Sequence, residues 1–183
     1  MSFRRGLWSI SFLCFVIYAW LATSIGPVLP RISEEYLLRP ATAGFVAGLY
    51  SIGGLLSFAG GYLSDRIKRS LAGSLFLALF SISSILVAFS GNEWSFGASL
   101  LLMGIFAGFL EAAVNALISE TYTERRGFSM VLFHISWNIG STIGPTFAAI
   151  SIAMMGGWRL AYLIPALFLL LLSGALNIVG GEA

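Results

Sequence analysis

Glu111, Asn115 and His134 are polar residues set in runs long and apolar enough to cross a membrane. Glu111 lies in GFLEAAVNALISE with no neighbouring positive charge. A carboxylate in hydrocarbon costs from about 3 kcal/mol upward, so it should face a protein interior or a wet cavity. Asn115 follows four residues later, one turn along the same helical face. Past a charged loop at 121–126 the chain re-enters with HISWN, which carries His134, Trp137 and Asn138. At a rise of ~1.5 Å per residue, Glu111 and His134 both lie roughly 12–14 Å from that loop, at one depth on antiparallel neighbours. Two titratable groups so placed make a candidate proton-coupling pair. Together with Asn115, Trp137 and Asn138 they mark the first candidate site.

The elements that hold these residues follow from composition. The 183 residues are 58% hydrophobic and only 10% charged, with a mean hydropathy of +0.92, outside the range of soluble domains. Cutting at the charges leaves six runs, each able to span ~30 Å of hydrocarbon. The expected helices are 6–30, 40–64, 70–91, 94–119, 127–155 and 159–180, in one all-α domain covering 1–183. The start MSFRRGLW does not read as a cleavable signal peptide, because its apolar run is too long and has no small-residue cleavage site. The lone Cys14 excludes a disulfide within the chain.

With the N-terminus inside, Arg4, Arg5, Arg66, Lys68, Arg69, Arg125 and Arg126 fall on the cytoplasmic side and Arg31, Arg39 and Arg159 on the outer side. Seven against three fits the positive-inside rule. Both termini are therefore expected in the cytoplasm, on a protein of the inner or plasma membrane.

Tyr18 and Trp20 in helix one read either as packing residues or as a wall that stacks on or hydrogen-bonds a solute, and Pro27 is expected to kink or end that helix. Glycines crowd helix two, as lipid-embedded helices need for backbone-to-backbone packing. Helix three, made of Leu, Phe and Ser, reads as peripheral and lipid-facing. Gly104, Ala107, Gly108 and Ala112 give helix four a small face.

The loop after helix two reads GYLSDRIKRS. A positive-inside anchor explains its basic residues, but not Asp65 or the glycine four residues before it. Gly61, Leu63, Asp65, Arg66 and Arg69 match a Gly-x-Leu-x-Asp-Arg-x-x-Arg pattern, and in this the chain resembles the major facilitator superfamily. Gly140, Gly144 and Pro145 match that family's Gly-x-x-x-Gly-Pro element in helix five, and GGWRLAY at 156–162 is similar to its entry to helix six. The resemblance implies the amino-terminal six-helix half of a twelve-helix transporter. It gives Asp65 a gating role with Arg66 and Arg69 as charge partners, while the helix-five glycines serve packing. GFLEAAVNALISE followed by HISWNIGSTIGP is similar to the fucose–proton symporter group. That likeness implies Glu111 as coupling carboxylate, Asn115 as substrate contact and a sugar as solute. Helix one here lacks the aspartate that the fucose symporter carries, so coupling must rest on Glu111.

An intramembrane hydrolase is the competing class, from Gly97-x-Ser99 and His134. Ser99 lies about 30 Å from the inner loop and His134 only ~12 Å, a gap that no hydrogen bond of about 3 Å closes. The enzyme reading falls. No metal-ligand cluster or nucleotide motif occurs, so no cofactor and no nucleic-acid partner is expected. The expected partners are a small polar solute, protons and the lipid bilayer. Drug or metabolite export by proton exchange stands as the alternative to sugar uptake. A second copy in parallel orientation is expected to complete the transporter as a homodimer, the other possibility being that the chain is half of a longer polypeptide.

Overall fold

The computed structural model describes residues 2–121, 123 and 126–181, which leaves Arg125 outside the described residues. Among the described residues the long elements are all helices. In chain order they are α1 (Ser2–Thr23), α2 (Ile25–Glu35), α3 (Pro40–Gly54), α4 (Ser57–Ser64), α5 (Arg69–Ala88), α6 (Glu93–Thr121), α7 (Arg126–Met154) and α8 (Arg159–Gly181).

Two of these junctions are breaks within a single apolar stretch. α1 and α2 together make Gly6–Glu35, and α3 and α4 make Pro40–Ser64. The first break is at Ser24, where Pro27 lacks the N–H that would bond to Thr23. The Ser24 hydroxyl donates to the Trp20 carbonyl at 2.8 Å and to the Gly144 carbonyl of α7 at 3.4 Å. The helix resumes and runs past the expected end at residue 30, with Pro30 inside it. The second break, at Leu55 and Leu56, directly follows the Gly53-Gly54 pair.

Five stretches among the described residues are long and apolar enough to cross a membrane: Gly6–Glu35, Pro40–Ser64, Arg69–Ala88, Glu93–Glu120 and Arg159–Ile178. The expectation was six. α7 has the length, at 29 residues, but His134, Asn138 and its Ser and Thr residues dilute its apolar character.

Helices in lipid gain little from the hydrophobic effect and associate by close packing. Two crossings show how close. A Cβ on Gly104 of α6 would collide with the Tyr50 carbonyl of α3, and one on Gly60 of α4 would strike Phe109 of α6. On the other side, Gly140 and Gly144 of α7 leave room for the Val16 and Trp20 carbonyls of α1. α6 thus packs on α3, α4 and α5, and α1 packs on α7 and α8.

The expectation that helix three is peripheral is corrected. α5 is wedged between α6 and α8, with Phe76, Leu77 and Phe80 fully buried. The Ser74 hydroxyl donates to the Ser173 carbonyl of α8 at 2.7 Å. Only an edge of α5, including Leu71, Leu75 and Leu86, is exposed. Its serines misled the reading, because several turn back onto carbonyls of their own helix and so can be buried at little cost, as Ser81 does onto Leu77 and Ser84 onto Phe80.

At the end of the bundle opposite Asp65, Glu35 of α2 clamps the start of α8. It accepts from the Trp158 indole N–H at 2.7 Å and from Arg159 at 2.6 Å. Arg159 also donates to the Ser90 carbonyl at 3.2 Å, and the Tyr36 hydroxyl donates to the same carbonyl at 2.8 Å.

Candidate functional site: a groove holding Glu111

Glu111 projects from α6 into an open groove between α4 and α6, of about 520 Å³, lined by Ser57, Phe58, Gly61, Gly108, Glu111, Ala112 and Asn115. The break at Leu55–Leu56 starts α4 so that Ser57, Phe58 and Gly61 face it, while Gly108 lets α4 lie close. The Asn115 side-chain oxygen is buried without a hydrogen-bond partner. Glu111 and Asn115 thus share one wall, as their four-residue spacing predicts.

The Tyr18 side chain, 2% exposed on α1, lies near Glu111 and near Tyr50 of α3. The Tyr18 ring is fixed by Phe15 at 5.0 Å, Phe80 at 5.1 Å and Trp137 at 5.3 Å between centroids. Tyr18 is therefore the point where α1, α3, α5, α6 and α7 converge.

Three expected groupings look different in the structure. The helices of Glu111 and His134, α6 and α7, do touch, but α7 packs mainly on α1. The exposed His134 ring sits edge-on to Phe15 at 6.2 Å and, among the described residues, forms no ion pair with Glu111. Tyr18 and Trp20 do not form one wall either, since two residues on a helix point about 200° apart. Trp20 instead packs on Phe147 of α7 at 4.8 Å, with its indole N–H buried and unpartnered. Trp137 joins the Tyr18 cluster, whereas Asn138 is exposed on α7 beside Thr142. Pro145 continues α7 next to Gly144 at the α1 crossing.

At the Asp65 end, Arg69 is the hub. It pairs with Asp65 at 2.5 Å and with Glu120 of α6 at 3.1 Å, and donates to the Ser64 hydroxyl at 2.9 Å. Arg66, expected as a second partner of Asp65, lies over the Tyr62 ring at 4.5 Å and bonds the Tyr62 hydroxyl. Gly61 caps this end of the groove and supplies the carbonyl that accepts from Ser64 at 2.9 Å.

Sequence reasoning missed Tyr50, Ser57, Phe58 and Glu120. Tyr50 sits among glycines that signalled packing alone, and Glu120 looked like one more loop charge. Among the described residues no group of three or more His, Cys, Asp or Glu is gathered to hold a metal ion.

The family model for the Major Facilitator Superfamily matches residues 11–179. Among curated proteins, the membrane sensor protein UhpC of Salmonella typhimurium is 26% identical over 90% of this chain and 37% of its own length. The benzoate transport protein of Acinetobacter baylyi is 27% identical over 80% of this chain and 33% of its own. The gentisate transporter of Corynebacterium glutamicum is 29% identical over 76% and 32%. A solved bacterial homolog of the human lysosomal transporter Spinster, inward-facing and unoccupied, superposes with a TM-score of 0.82. That match covers 97% of this chain and 43% of the other at 16% identity, so it speaks for the fold alone. The chain spans about a third to two fifths of the length of these relatives. It is an integral membrane protein and belongs to the Major Facilitator Superfamily.

Proposed function

We propose that the chain is half of a secondary transporter that moves a small polar solute, such as a sugar, by alternating access and couples the movement to protons through Glu111. One observation carries this reading: Glu111, the only acid within the apolar runs, opens onto a groove. A carboxyl that is uncharged in apolar surroundings and charged in wet ones binds and releases a proton as its surroundings alternate. Asn115 in the groove, Trp137 and Asn138 on α7, and Tyr18 and Trp20 on α1 are the proposed solute contacts. His134 is a second proton-exchanging group on the α7 side. The likeness to the fucose–proton symporter group belongs to this proposal, as does the sugar.

The proposed arrangement has six crossings, counting α7, with both termini on the cytoplasmic face of the inner or plasma membrane. The polar residues of α7, His134, Asn138 and Thr142, then face a cavity shared with a second six-helix unit rather than lipid. That unit is a parallel second copy of the chain. Asp65, Arg66, Arg69 and Gly61 form the proposed cytoplasmic gate.

Reconstitution in liposomes with an internal pH dye tests the reading. Addition of transported sugar should evoke proton uptake in the wild type and none with Glu111→Gln. Wild-type uptake in the variant would remove Glu111 from the mechanism.

A further inference from the structure

We infer that the Glu111 groove takes its solute by a positively charged nitrogen, an ammonium or guanidinium group, and disfavours carboxylates and phosphates. The inference rests on the reading of this groove as the solute site.

The wall of the groove offers acceptors. Glu111 presents a carboxylate, and Asn115, one turn along, presents a side-chain oxygen that is buried without a partner. A buried acceptor left unpaired costs free energy that a donor on a ligand recovers. Tyr18 lies near Glu111 on the α1 side, while the carboxyl opens onto the groove, where a ligand can reach it. Phe58, 74% exposed, borders the same space and supplies an aromatic face of the kind that attracts cations.

The charge inventory points the same way. Of the ten Lys and Arg residues, Arg31 lies inside the Gly6–Glu35 stretch near its C-terminal end, and the others lie at helix ends or in loops. No lining residue of the groove is basic. An anionic solute would meet the Glu111 charge with no cation from this chain to offset it, and like charges in a low-dielectric groove repel strongly. The aromatic acids in the names of two relatives, benzoate and gentisate, are therefore not the class this groove fits. A polar solute bearing a protonated amine does fit, with its hydroxyls reaching Asn115 and Ser57. Its ammonium and the proton would then compete for one carboxylate, so that loading one displaces the other.

Glucosamine, glucose and gluconate share a carbon skeleton and differ in charge, which makes them suitable probes at a pH where the amine is protonated. The full chain in mild detergent is treated with dicyclohexylcarbodiimide, which modifies protonated carboxyls in apolar surroundings, and Glu111 labelling is read by peptide mass. Glucosamine should protect Glu111 at about one tenth of the concentration that glucose requires, a difference of ~1.4 kcal/mol. Gluconate should not protect, and Asn115→Ala should raise the protecting concentration of glucosamine while leaving the labelling intact. If glucose or gluconate protects at the same or a lower concentration, the charge selectivity is overturned while Glu111 stands as a solute site. If none of the three protects a labelled Glu111, the selectivity and the solute site fall together.

Discussion

Tyr18 on α1 lies near Glu111 on α6, between two helices that otherwise make few contacts. The Tyr18 ring is pinned by three aromatic neighbours, so its hydroxyl is held in place close to the carboxyl. Tyr18→Phe keeps the ring and removes only the hydroxyl. The expected loss is about 1 kcal/mol of stability, or about 2–4 °C in Tm for a chain of this size. Solute-evoked proton uptake should fall several-fold more than that small destabilisation explains. Unchanged uptake would show that Glu111 does not depend on Tyr18.

The Glu35 clamp allows a prediction about stability alone. Trp158 is 1% exposed and its indole N–H has Glu35 as its acceptor. Glu35→Ala leaves that donor buried and unpaired and takes from Arg159 its carboxylate partner. A cost of about 1–3 kcal/mol follows, chiefly from the orphaned indole. Thermal unfolding in detergent should show a clear drop in Tm. A Tm equal to the parent's would mean that water satisfies the indole.

Much of this organisation was legible from residue types alone. Charge-free runs marked the helices, because a charge in hydrocarbon is costly. The Gly104–Gly108 and Gly140–Gly144 spacings marked the two tight crossings, because each pair lies on one helical face. The partners across helices were not legible. Depth alone put Glu111 level with His134, but depth does not say which way a side chain points on its helix, and α7 packs mainly on α1. Asp65 was visible in its motif, whereas Glu120, 51 residues from Arg69, became visible only when α6 was placed beside α5. Tyr50 shows the same limit: nothing in its neighbourhood of glycines signals that it lies near Tyr18.

The Arg69 cluster ties α5 to α6 and to the turn after α4 by ion pairs that are largely exposed, Asp65 being 62% and Glu120 56% accessible. Such pairs contribute about 0–1 kcal/mol each, so they serve poorly as a fold anchor and suit a contact that opens and closes. Asp65→Asn should leave Tm within about 2 °C of the parent. It should nonetheless change the accessibility of a cysteine placed at the far end of the bundle, for example Ser33→Cys, to a water-soluble maleimide. Identical labelling rates in mutant and parent would count against a gating role.

The last prediction concerns what covers the Glu111 groove. Phe45, Leu55 and Phe58 are 60%, 72% and 74% exposed, and lipid can cover them. Covering exposed Glu111 of α6, or exposed Asn138 and Thr142 of α7, with hydrocarbon would cost several kcal/mol. A protein surface is the expected cover. This chain matches 43% of the length of the structurally similar Spinster homolog. Halves of facilitators are parallel repeats about an axis along the membrane normal, so a second copy in the same orientation would supply such a surface. Native mass spectrometry from mild detergent should then show a dimer. Phe58→Cys in a Cys14→Ala background should form an intermolecular disulfide across the groove. A monomer at every protein concentration, with no Phe58→Cys cross-link in native membranes, would instead assign the covering surface to a further segment of a longer polypeptide.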